Sequence, residues 1–323
     1  MVKESEGRSM GQFQPDAGDP MLPRIAVLLA AYNGLRWLPQ QLDSILNQED
    51  VSPTVFVSVD RSSDGTERWL SSLTEGDPRV VCLPFGQTFG GAAANFYRLF
   101  RDVDVSDFDF VALADQDDIW MSGKLARAVA SLQGGHADAY SSNVLAFWPT
   151  NEVRLLRKAQ PQRKWDYLFE AAGPGCTYVV KTAVIEQFQD LLGRRWEHAR
   201  QICLHDWFLY AFVRSSGYRW VIDECPGVLY RQHEHNQVGA NKGLGAFLRR
   251  LEKVRSGWAI DQAAKIAEVV GVDSEPFVEN WLRSGRMDYL RLAMHANQCR
   301  RRVYDQILFF LSCVLLSMRG RPR

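Results

Sequence analysis

Short apolar runs alternate with amphipathic segments through the first third of this 323-residue chain, and this alternation restricts the fold more than any other feature. The apolar runs occupy residues 25–31, 54–59, 80–83 and 108–114, with helical patterns between them. Strands that alternate with helices in segments of about 30 residues form βαβ units, whose parallel strands are covered on both faces. The sequence therefore predicts an α/β fold with a mostly parallel central sheet flanked by helices.

Three of these predicted strands end in polar turns. The first is followed by Tyr32-Asn33-Gly34, the second by Asp60, and the fourth by the sequence DQDDIW at 115–120. Ligands of open α/β sheets bind outside the carboxyl ends of the strands. We therefore expect these three turns to line one crevice.

The DQDDIW segment brings three carboxylates together where a buried strand emerges. Such a cluster is unfavourable unless a cation neutralises it. Mg²⁺ takes oxygen ligands in proteins, usually one or two carboxylates together with the phosphates of a substrate. The segment thus indicates a metal–diphosphate site, and the other interpretation is an acidic cap for a helix that begins near Ser122.

Seven short motifs occur in an order that is typical of one enzyme family. They are AAYNG (30–34), DRSSDGT (60–66), FGGAAANF (89–96), DQDDIW (115–120), GCT (175–177), HDW (205–207) and YRQH (230–233). Over residues 25–241, about two thirds of the chain, this set resembles the inverting family 2 glycosyltransferases of GT-A fold. Within that family it is most similar to the bacterial rhamnosyltransferase-like branch.

The resemblance implies transfer of a sugar from a UDP- or dTDP-linked donor to a hydroxyl of a saccharide or lipid-linked acceptor, as in O-antigen synthesis. It implies a general base at Asp206 and Mg²⁺ or Mn²⁺ held by Asp117, His233 and Asp115. Such a cation stabilises the charge of the departing diphosphate. The implied donor-binding residues are Ala31, Tyr32, Asn33, Asp60, Asn95 and Asp115. Those implied on the acceptor or sugar side are Trp120, Cys176, Thr177, His205 and Trp207.

Several of these residues have ordinary structural alternatives. Asp206 could be a simple helix cap, and Asp64 fits a cap of its own helix better than a ligand-binding role. His233 could be a structural histidine. Trp120 and Trp207 could offer their faces to a sugar ring or could belong to the core.

The chain departs from the family pattern at two places near the nucleotide. Relatives usually read Asp-Asp-Gly-Ser where this chain has Val59-Asp60-Arg61-Ser62, and they usually have Asn at the position of Phe89. These departures keep open a non-catalytic, glycosyltransferase-like scaffold in a membrane assembly complex. A nucleotidyltransferase would be expected to have a basic Gly-rich loop after the first strand, and a dinucleotide-binding oxidoreductase needs GxGxxG there; neither is found.

The remaining composition predicts a three-part organisation. Residues 1–22 are polar and read as a disordered leader, 23–241 as the glycosyltransferase domain, and 242–323 as a helical C-terminal region. The helices predicted in this last region span 247–254, 260–270, 276–293 and 303–318. The boundary between the donor half, 23–120, and the acceptor half, 121–241, follows DQDDIW. Six cysteines without a CxxC pair fit reduced thiols in a cytoplasmic protein.

The C-terminal region is the basic part of a chain whose formal net charge is zero. It holds 15 Lys and Arg against 8 Asp and Glu, and its apolar run 307–316 is too short to span a bilayer. With arginines on both sides, residues 300–323 fit peripheral contact with the inner face of a membrane. A core or dimer-forming helix is the alternative, and nucleic-acid binding has no positive signal.

Overall fold

The computed structural model describes residues 22–233, 256–283 and 285–319, and contains two sheets surrounded by helices. The larger sheet contains β1 Arg24–Ala31, β2 Ser52–Val59, β3 Val80–Cys82, β4 Phe110–Asp115, β6 Ala139–Ser142, β9 Val179–Lys181 and β10 Trp220–Asp223. The smaller sheet contains β5 Ile119–Trp120, β7 Val144–Phe147, β8 Val153–Leu156 and β11 Val228–Arg231.

The helices fill the intervals between strands and make up the described C-terminal region. Between strands lie α1 Leu38–Leu46, α2 Thr66–Gly76, α3 Ala92–Asp102, α4 Lys124–Gln133, α5 Thr182–Arg194, α6 Trp196–Ala199 and α7 His205–Ser215. The C-terminal helices are α8 Trp258–Val269, α9 Pro276–Leu282, α10 Arg286–Met294, α11 Ala296–Cys299 and α12 Val303–Arg319.

The larger sheet has the strand order β10-β6-β9-β4-β1-β2-β3. Its pairings are parallel except for β9, which runs antiparallel to both β4 and β6. Along β1, Ala26, Leu28 and Ala30 join the core on one face, while the alternate residues join the core on the other face. This two-sided burial explains why β1 reads as a continuous apolar run, and the predicted α/β class is confirmed.

The smaller sheet brings a distant part of the chain to the DQDDIW loop. Here β11 pairs antiparallel with β5, with Val228 opposite Trp120, and parallel with β7. The chain therefore leaves β11 beside the acidic residues that follow β4. This pairing positions the YRQH motif, because that motif spans the end of β11.

The C-terminal helices pack into the hydrophobic core on the face of the larger sheet that α3 covers. Ile260, Trp281 and Cys313 belong to this cluster. The prediction of a single helix over 276–293 is wrong, because extended backbone at Gly285 separates α9 from α10. The Gly285 N–H donates a hydrogen bond to the Asp288 carboxylate. The predicted helix at 247–254 lies outside the described residues, as do residues 1–21.

The basic triplet 300–302 does not act as one exposed charge patch. Arg301 is buried, donates to the carbonyls of Ala171 and Ala172, and receives the carboxylate of Glu170 at its backbone N–H. Arg300 donates to the carbonyl of Phe169. Two of the three arginines expected at a membrane therefore anchor the C-terminal region to the rest of the fold. No described helix combines the length and the apolar character needed to cross a bilayer.

Candidate active site

The turn after β1 is tied to the loop after β4 by one side chain. Gln116 accepts a hydrogen bond from the Tyr32 N–H (2.8 Å) and donates one to the Tyr32 carbonyl (2.9 Å). A Cβ atom at Gly34 would overlap the Gln116 Oε1 atom, so any other residue there would require the Gln116 side chain to move. Asn33 has a φ of 45° and accepts from the Ser63 N–H, so the turn after β2 joins the same assembly.

The acidic residues after β4 form two contacts. Asp117 Oδ2 lies 2.6 Å from His233 Nε2. Asp118 is fully buried and accepts from the Arg231 N–H. Asp115, Asp118 and the Cys176 thiol have ligand atoms within 4.8 Å of one another.

Burial and mutual repulsion favour the protonated forms of Asp115 and Asp118. Burial first, and then the charges of Asp117 and Asp206, raise the pKa of Asp115 to about 7. The pKa of Asp118 is also raised well above its usual value, by burial and by the charges of Asp117 and Asp115. A divalent cation would relieve this repulsion, so the residues present fit Mg²⁺ or Mn²⁺, which prefer oxygen ligands. Asp117 and His233, with Asp115 nearby, would hold it.

Arg231 is a residue of this site that sequence reasoning did not single out. Its Nε donates to the Asp117 carbonyl (2.7 Å), and its Nη2 donates to Gln40 Oε1 (2.7 Å). The guanidinium also lies 4.3 Å from the centre of the Trp37 ring, which stacks on His233. The signal was available, since Arg231 lies inside the YRQH motif.

Two predicted donor-binding residues, Asp60 and Asn95, form hydrogen bonds to backbone groups near the ends of the strands. The Asp60 carboxylate accepts from the N–H groups of Phe89 and Gly90, both at 2.9 Å. Asn95 donates to the carbonyls of Ala31 and Ser58. The Asp60 contacts fix the Gly-rich loop before α3, and they use the backbone of Phe89 rather than its side chain.

Asp64, which we expected to cap its own helix, accepts hydrogen bonds at the beginning of α2. Its Oδ1 accepts from the backbone N–H and the hydroxyl of Thr66, the first residue of that helix. Its Oδ2 accepts from the Leu35 N–H. These hydrogen bonds lower the pKa of Asp64 even though burial opposes them. The residue thus links α2 to the turn that follows β1.

Asp206 lies in the first turn of α7, half-buried, where its Oδ1 accepts from the Trp207 N–H at 2.8 Å. Burial raises the pKa of Asp206 to about 6, although this hydrogen bond and the charge of Lys158 oppose the change. A Cβ atom at Gly175 would lie 3.1 Å from Asp206 Cβ. The charge of Asp206 also raises the pKa of Asp115, so the two carboxylates are near enough to interact electrostatically.

The residue before the candidate base is a neutral histidine. His205 is buried and stacks on Phe96 with ring centres 3.8 Å apart. Burial lowers the pKa of His205 to about 3, so its ring carries no charge at neutral pH. Its Nε2 lies next to Gly175 and has no partner in the described part of the chain.

The two tryptophans predicted on the sugar side lie in the core. Trp207 is 4% exposed and donates from Nε1 to the Tyr167 carbonyl. Trp120 is 3% exposed, with the ammonium of Lys124 3.2 Å from its ring centre. Neither ring face is open to a ligand here. Thr177 is also buried, and its hydroxyl donates to the Pro174 carbonyl within the turn that precedes β9.

Solved structures with the same fold are glycosyltransferases. Residues 1–349 of S. aureus TarS superpose with a TM-score of 0.55 at 14% identity, covering 92% of each chain. The same fragment in complex with UDP-GlcNAc gives a TM-score of 0.53 at 13% identity, covering 92% of this chain and 89% of TarS. At this identity the likeness defines the fold alone, which is the GT-A fold with a helical C-terminal region.

Sequence comparisons identify the family. The model named "Glycosyltransferase like family 2" matches residues 23–240. The dTDP-rhamnosyl transferase RfbG of Shigella flexneri is 43% identical over 288 residues, which are 89% of this chain and 99% of RfbG. An uncharacterized glycosyltransferase of a Nostoc species is 28% identical over 110 residues, about a third of each chain.

The chain belongs to glycosyltransferase-like family 2, and it is a nucleotide-sugar glycosyltransferase. The predicted resemblance is thereby confirmed. The roles of individual residues remain predictions.

Proposed function

We propose that this enzyme is an inverting rhamnosyltransferase, which uses dTDP-rhamnose and a saccharide or lipid-linked acceptor in bacterial surface polysaccharide synthesis, such as that of O-antigen. The observation that carries the reaction type is the closeness of the candidate base to the acidic cluster. Gly175 packs against Asp206, and the thiol of the next residue, Cys176, lies within 4.8 Å of a carboxylate oxygen of Asp115. Asp206 and the leaving diphosphate would then lie on opposite sides of one sugar. The similarity to RfbG supports the donor, because it extends over nearly the whole of that protein.

The donor binds at the carboxyl ends of β1, β2 and β4. The exposed Tyr32 and the turn around Asn33 contact the nucleoside, together with the loop fixed by Asp60. Arg231 is directed by Asp117 and Gln40 towards the diphosphate, and arginine forks suit phosphate oxygens. Asp117, His233 and Asp115 would hold a divalent cation, which would supply Lewis-acid stabilisation of the leaving group.

Asp206 removes the proton from the acceptor hydroxyl as that oxygen attacks the anomeric carbon. A carboxylate within hydrogen-bond reach of the nucleophile performs this step in a single displacement. The position of Asp206 in the first turn of α7 favours its charged form. Gly175 lies against Asp206, and the preceding residue, His205, is neutral, so neither adds a charge beside the base.

The test is a comparison of donors with purified full-length protein. We expect transfer or slow hydrolysis with dTDP-rhamnose and Mn²⁺, and much weaker reaction with UDP- or GDP-sugars. Asp117→Asn should abolish turnover and also the metal-dependent thermal stabilisation by dTDP, since a native-state ligand at 100 times its Kd adds about 2.7 kcal/mol.

Asp107→Asn is the matched control for this test, because Asp107 is exposed and distant from the crevice. Near-wild-type turnover in Asp117→Asn would refute the metal assignment. Complete inactivity of the wild type with every donor, in the presence of either metal, would favour the non-catalytic scaffold.

We also propose peripheral contact with the inner face of the cell membrane through 300–323, with 23–241 as the catalytic domain and 242–323 as the contacting region. On α12 the exposed residues are all apolar: Val303, Tyr304, Ile307, Leu308, Phe310, Leu311 and Met318. On the adjoining α10, Met287, Leu290 and Met294 are exposed as well, and Arg286 and Arg291 lie on either side of them. An apolar face with basic borders suits an anionic lipid surface.

A further inference from the structure

Helix α1 holds both ends of the DQDDIW loop. The buried Gln41 donates from Nε2 to the carbonyl of Asp115, the first residue of this loop, at 2.9 Å. Ser44 lies three residues further along the same face of the helix, and its hydroxyl accepts from the N–H of Trp120, the last residue of the loop, at 3.0 Å. Helix α1 therefore fixes the backbone from which the acidic side chains extend.

Trp37, the residue immediately before α1, contacts the other half of the candidate metal–diphosphate site. Its ring stacks on the ring of His233, with ring centres 5.9 Å apart and an angle of 15° between the ring planes. The guanidinium carbon of Arg231 lies 4.3 Å from the centre of the Trp37 ring and 4.7 Å from the centre of the Phe147 ring. One half-buried indole thus contacts two residues of the YRQH motif.

Strand pairing alone does not orient these two side chains. Strand β11 ends at Arg231, so His233 lies two residues beyond it. Both side chains nevertheless meet Asp117, because His233 Nε2 lies 2.6 Å from the Asp117 Oδ2 atom and Arg231 Nε donates to the Asp117 carbonyl. Stacking and cation–π contacts favour particular orientations of a ring and of a guanidinium group. The Trp37 contacts therefore restrict the rotation of two groups that bind Asp117.

We propose that Trp37 is a positioning residue of the metal–diphosphate site, whose ring holds His233 against Asp117 and directs the Arg231 guanidinium towards the diphosphate. Helix α1 then aligns the two halves of this site, the acidic loop through Gln41 and the YRQH residues through Trp37. The inference rests on the proposed function and deepens it by naming a residue that acts through His233 and Arg231 rather than on the substrate itself.

The binding test uses the full-length protein and three measurements that need no turnover. They are the affinity for Mn²⁺ at saturating dTDP, followed by electron paramagnetic resonance, the affinity for dTDP in EDTA, and the affinity for thymidine. We expect Trp37→Ala to weaken Mn²⁺ binding and metal-free dTDP binding about 10-fold each, within the range for loss of a stacking or cation–π contact. Thymidine affinity should not change, because the nucleoside carries no phosphate.

Two further substitutions separate the ring from its volume. Trp37→Phe keeps an aromatic face and should stay within about threefold of the wild type in all three measurements. Trp37→Leu keeps an apolar side chain without a ring, so it should resemble Trp37→Ala. Wild-type affinities in Trp37→Leu would mean that the ring face is not needed, which would overturn the proposal.

A double-mutant cycle tests whether Trp37 acts through His233. His233→Ala should weaken Mn²⁺ binding, and adding Trp37→Ala to it should weaken that binding no further, because the ring then has no imidazole to hold. For dTDP in EDTA, Trp37→Ala combined with Arg231→Gln should likewise bind no more weakly than Arg231→Gln alone. Losses that multiply in both cycles would overturn the proposed route.

Trp196→Ala is the matched control for a general loss of stability. Trp196 is a half-buried tryptophan on α6, with the guanidinium carbon of Arg101 5.1 Å from its ring centre. This variant should lower the Tm and keep the wild-type affinities for Mn²⁺ and dTDP. If Trp37→Ala also lowered only the Tm, Trp37 would be structural and the proposal would be wrong.

The same measurements distinguish failure of this inference from failure of the proposed function. Wild-type protein that binds no Mn²⁺ at saturating dTDP would refute the proposed metal site, whereas the dTDP titration in EDTA would still decide whether Trp37 acts on Arg231. Wild-type protein that binds Mn²⁺ and dTDP but transfers no sugar would refute the proposed activity. A 10-fold loss of both affinities in Trp37→Ala would then still support the positioning role, as an expected loss of about this size.

Discussion

At the scale of single residues, Asp206 combines two opposing requirements. The proposed role as general base needs the ionised carboxylate, whereas burial favours the protonated acid and raises the pKa of Asp206 to about 6. The raised pKa keeps the carboxylate basic enough to accept a proton near neutral pH. We infer that kcat rises with pH through about 6 and reaches a plateau above it.

Asp206→Asn should lower kcat by about 10²- to 10⁴-fold, which is the usual contribution of a general base. Binding of dTDP, measured by titration, should stay at the wild-type level. The exposed Asp190, changed to Asn, serves as the control. A variant that lost dTDP binding but kept kcat would assign Asp206 to the donor instead.

Asp206 should also make the free energy of unfolding fall as the pH rises, whereas kcat should rise with pH. A carboxyl group with a raised folded-state pKa stabilises the fold below its usual value of 3.8, and this contribution is lost as the pH rises to about 6. Thermal unfolding of Asp206→Asn and wild type should therefore give similar Tm values near pH 4. At pH 7 the Asn variant should be the more stable protein.

At the scale of elements, the Gln116 contact joins the turns after β1 and β4 into one donor-binding unit. Gly34→Ala would place a Cβ atom 2.3 Å from Gln116 Oε1, so the glutamine must move and both hydrogen bonds to Tyr32 are lost. We expect a lower Tm and a raised donor KM. Gly76→Ala is the control, because nothing lies within 4 Å of a Cβ atom there. Equal effects of the two substitutions would contradict the role of this contact.

The exposed face of α12 can be tested without disturbing the core. Ile307→Asp with Leu311→Asp adds two negative charges to that face, so we expect sedimentation with anionic liposomes to fall sharply at an unchanged Tm. Ser312→Asp on another side of the helix is the comparison. If full-length protein does not sediment with these liposomes, or if the double variant sediments as before, α12 does not contact lipid.

The sequence predicts an element when the contacts that stabilise that element are local along the chain. The strands β1, β2 and β4 were predictable, because burial on both faces leaves a continuous apolar run. The strands β5, β7 and β8 have two to four residues and depend on pairing with each other and with distant β11. No local pattern reveals such pairing.

The same reasoning separates the site residues. The acidic cluster follows one strand and is visible in the sequence. The effect of the Lys158 charge on the pKa of Asp206 depends on tertiary packing, since Lys158 lies against Gly173 and Asp206 against Gly175 although the two residues are nearly 50 positions apart. The burial of Trp120 and Trp207 likewise depends on tertiary packing, since an aromatic beside an acidic motif reads equally well as core or as ligand contact.

At the scale of the whole molecule, the described C-terminal helices share a core with the sheet, and Arg301 anchors their junction. Removing a buried charged partner typically costs about 3–5 kcal/mol, because the opposite charges stay buried. Arg301→Met should thus lower the free energy of unfolding by up to about that amount, because Glu170 loses its nearer guanidinium and the carbonyls of Ala171 and Ala172 lose their donor. Arg302→Met, at an exposed position, should change it little.

Denaturant unfolding followed by fluorescence and by circular dichroism checks this prediction. Coincident transitions would mean that the helices and the sheet unfold together. Separate transitions, with the Arg301 effect confined to one of them, would show an independently folding C-terminal unit.

The antiparallel strand β9 has a consequence for how the enzyme selects acceptors. It lies hydrogen-bonded between β4, which leads to the acidic residues 115–118, and β6, and the Gly175–Thr177 turn comes directly before it. One continuous sheet therefore joins the proposed donor half to the proposed acceptor half. We expect this sheet to set the spacing between the leaving group and the base before either substrate binds, so that an acceptor is selected by how deeply its hydroxyl reaches.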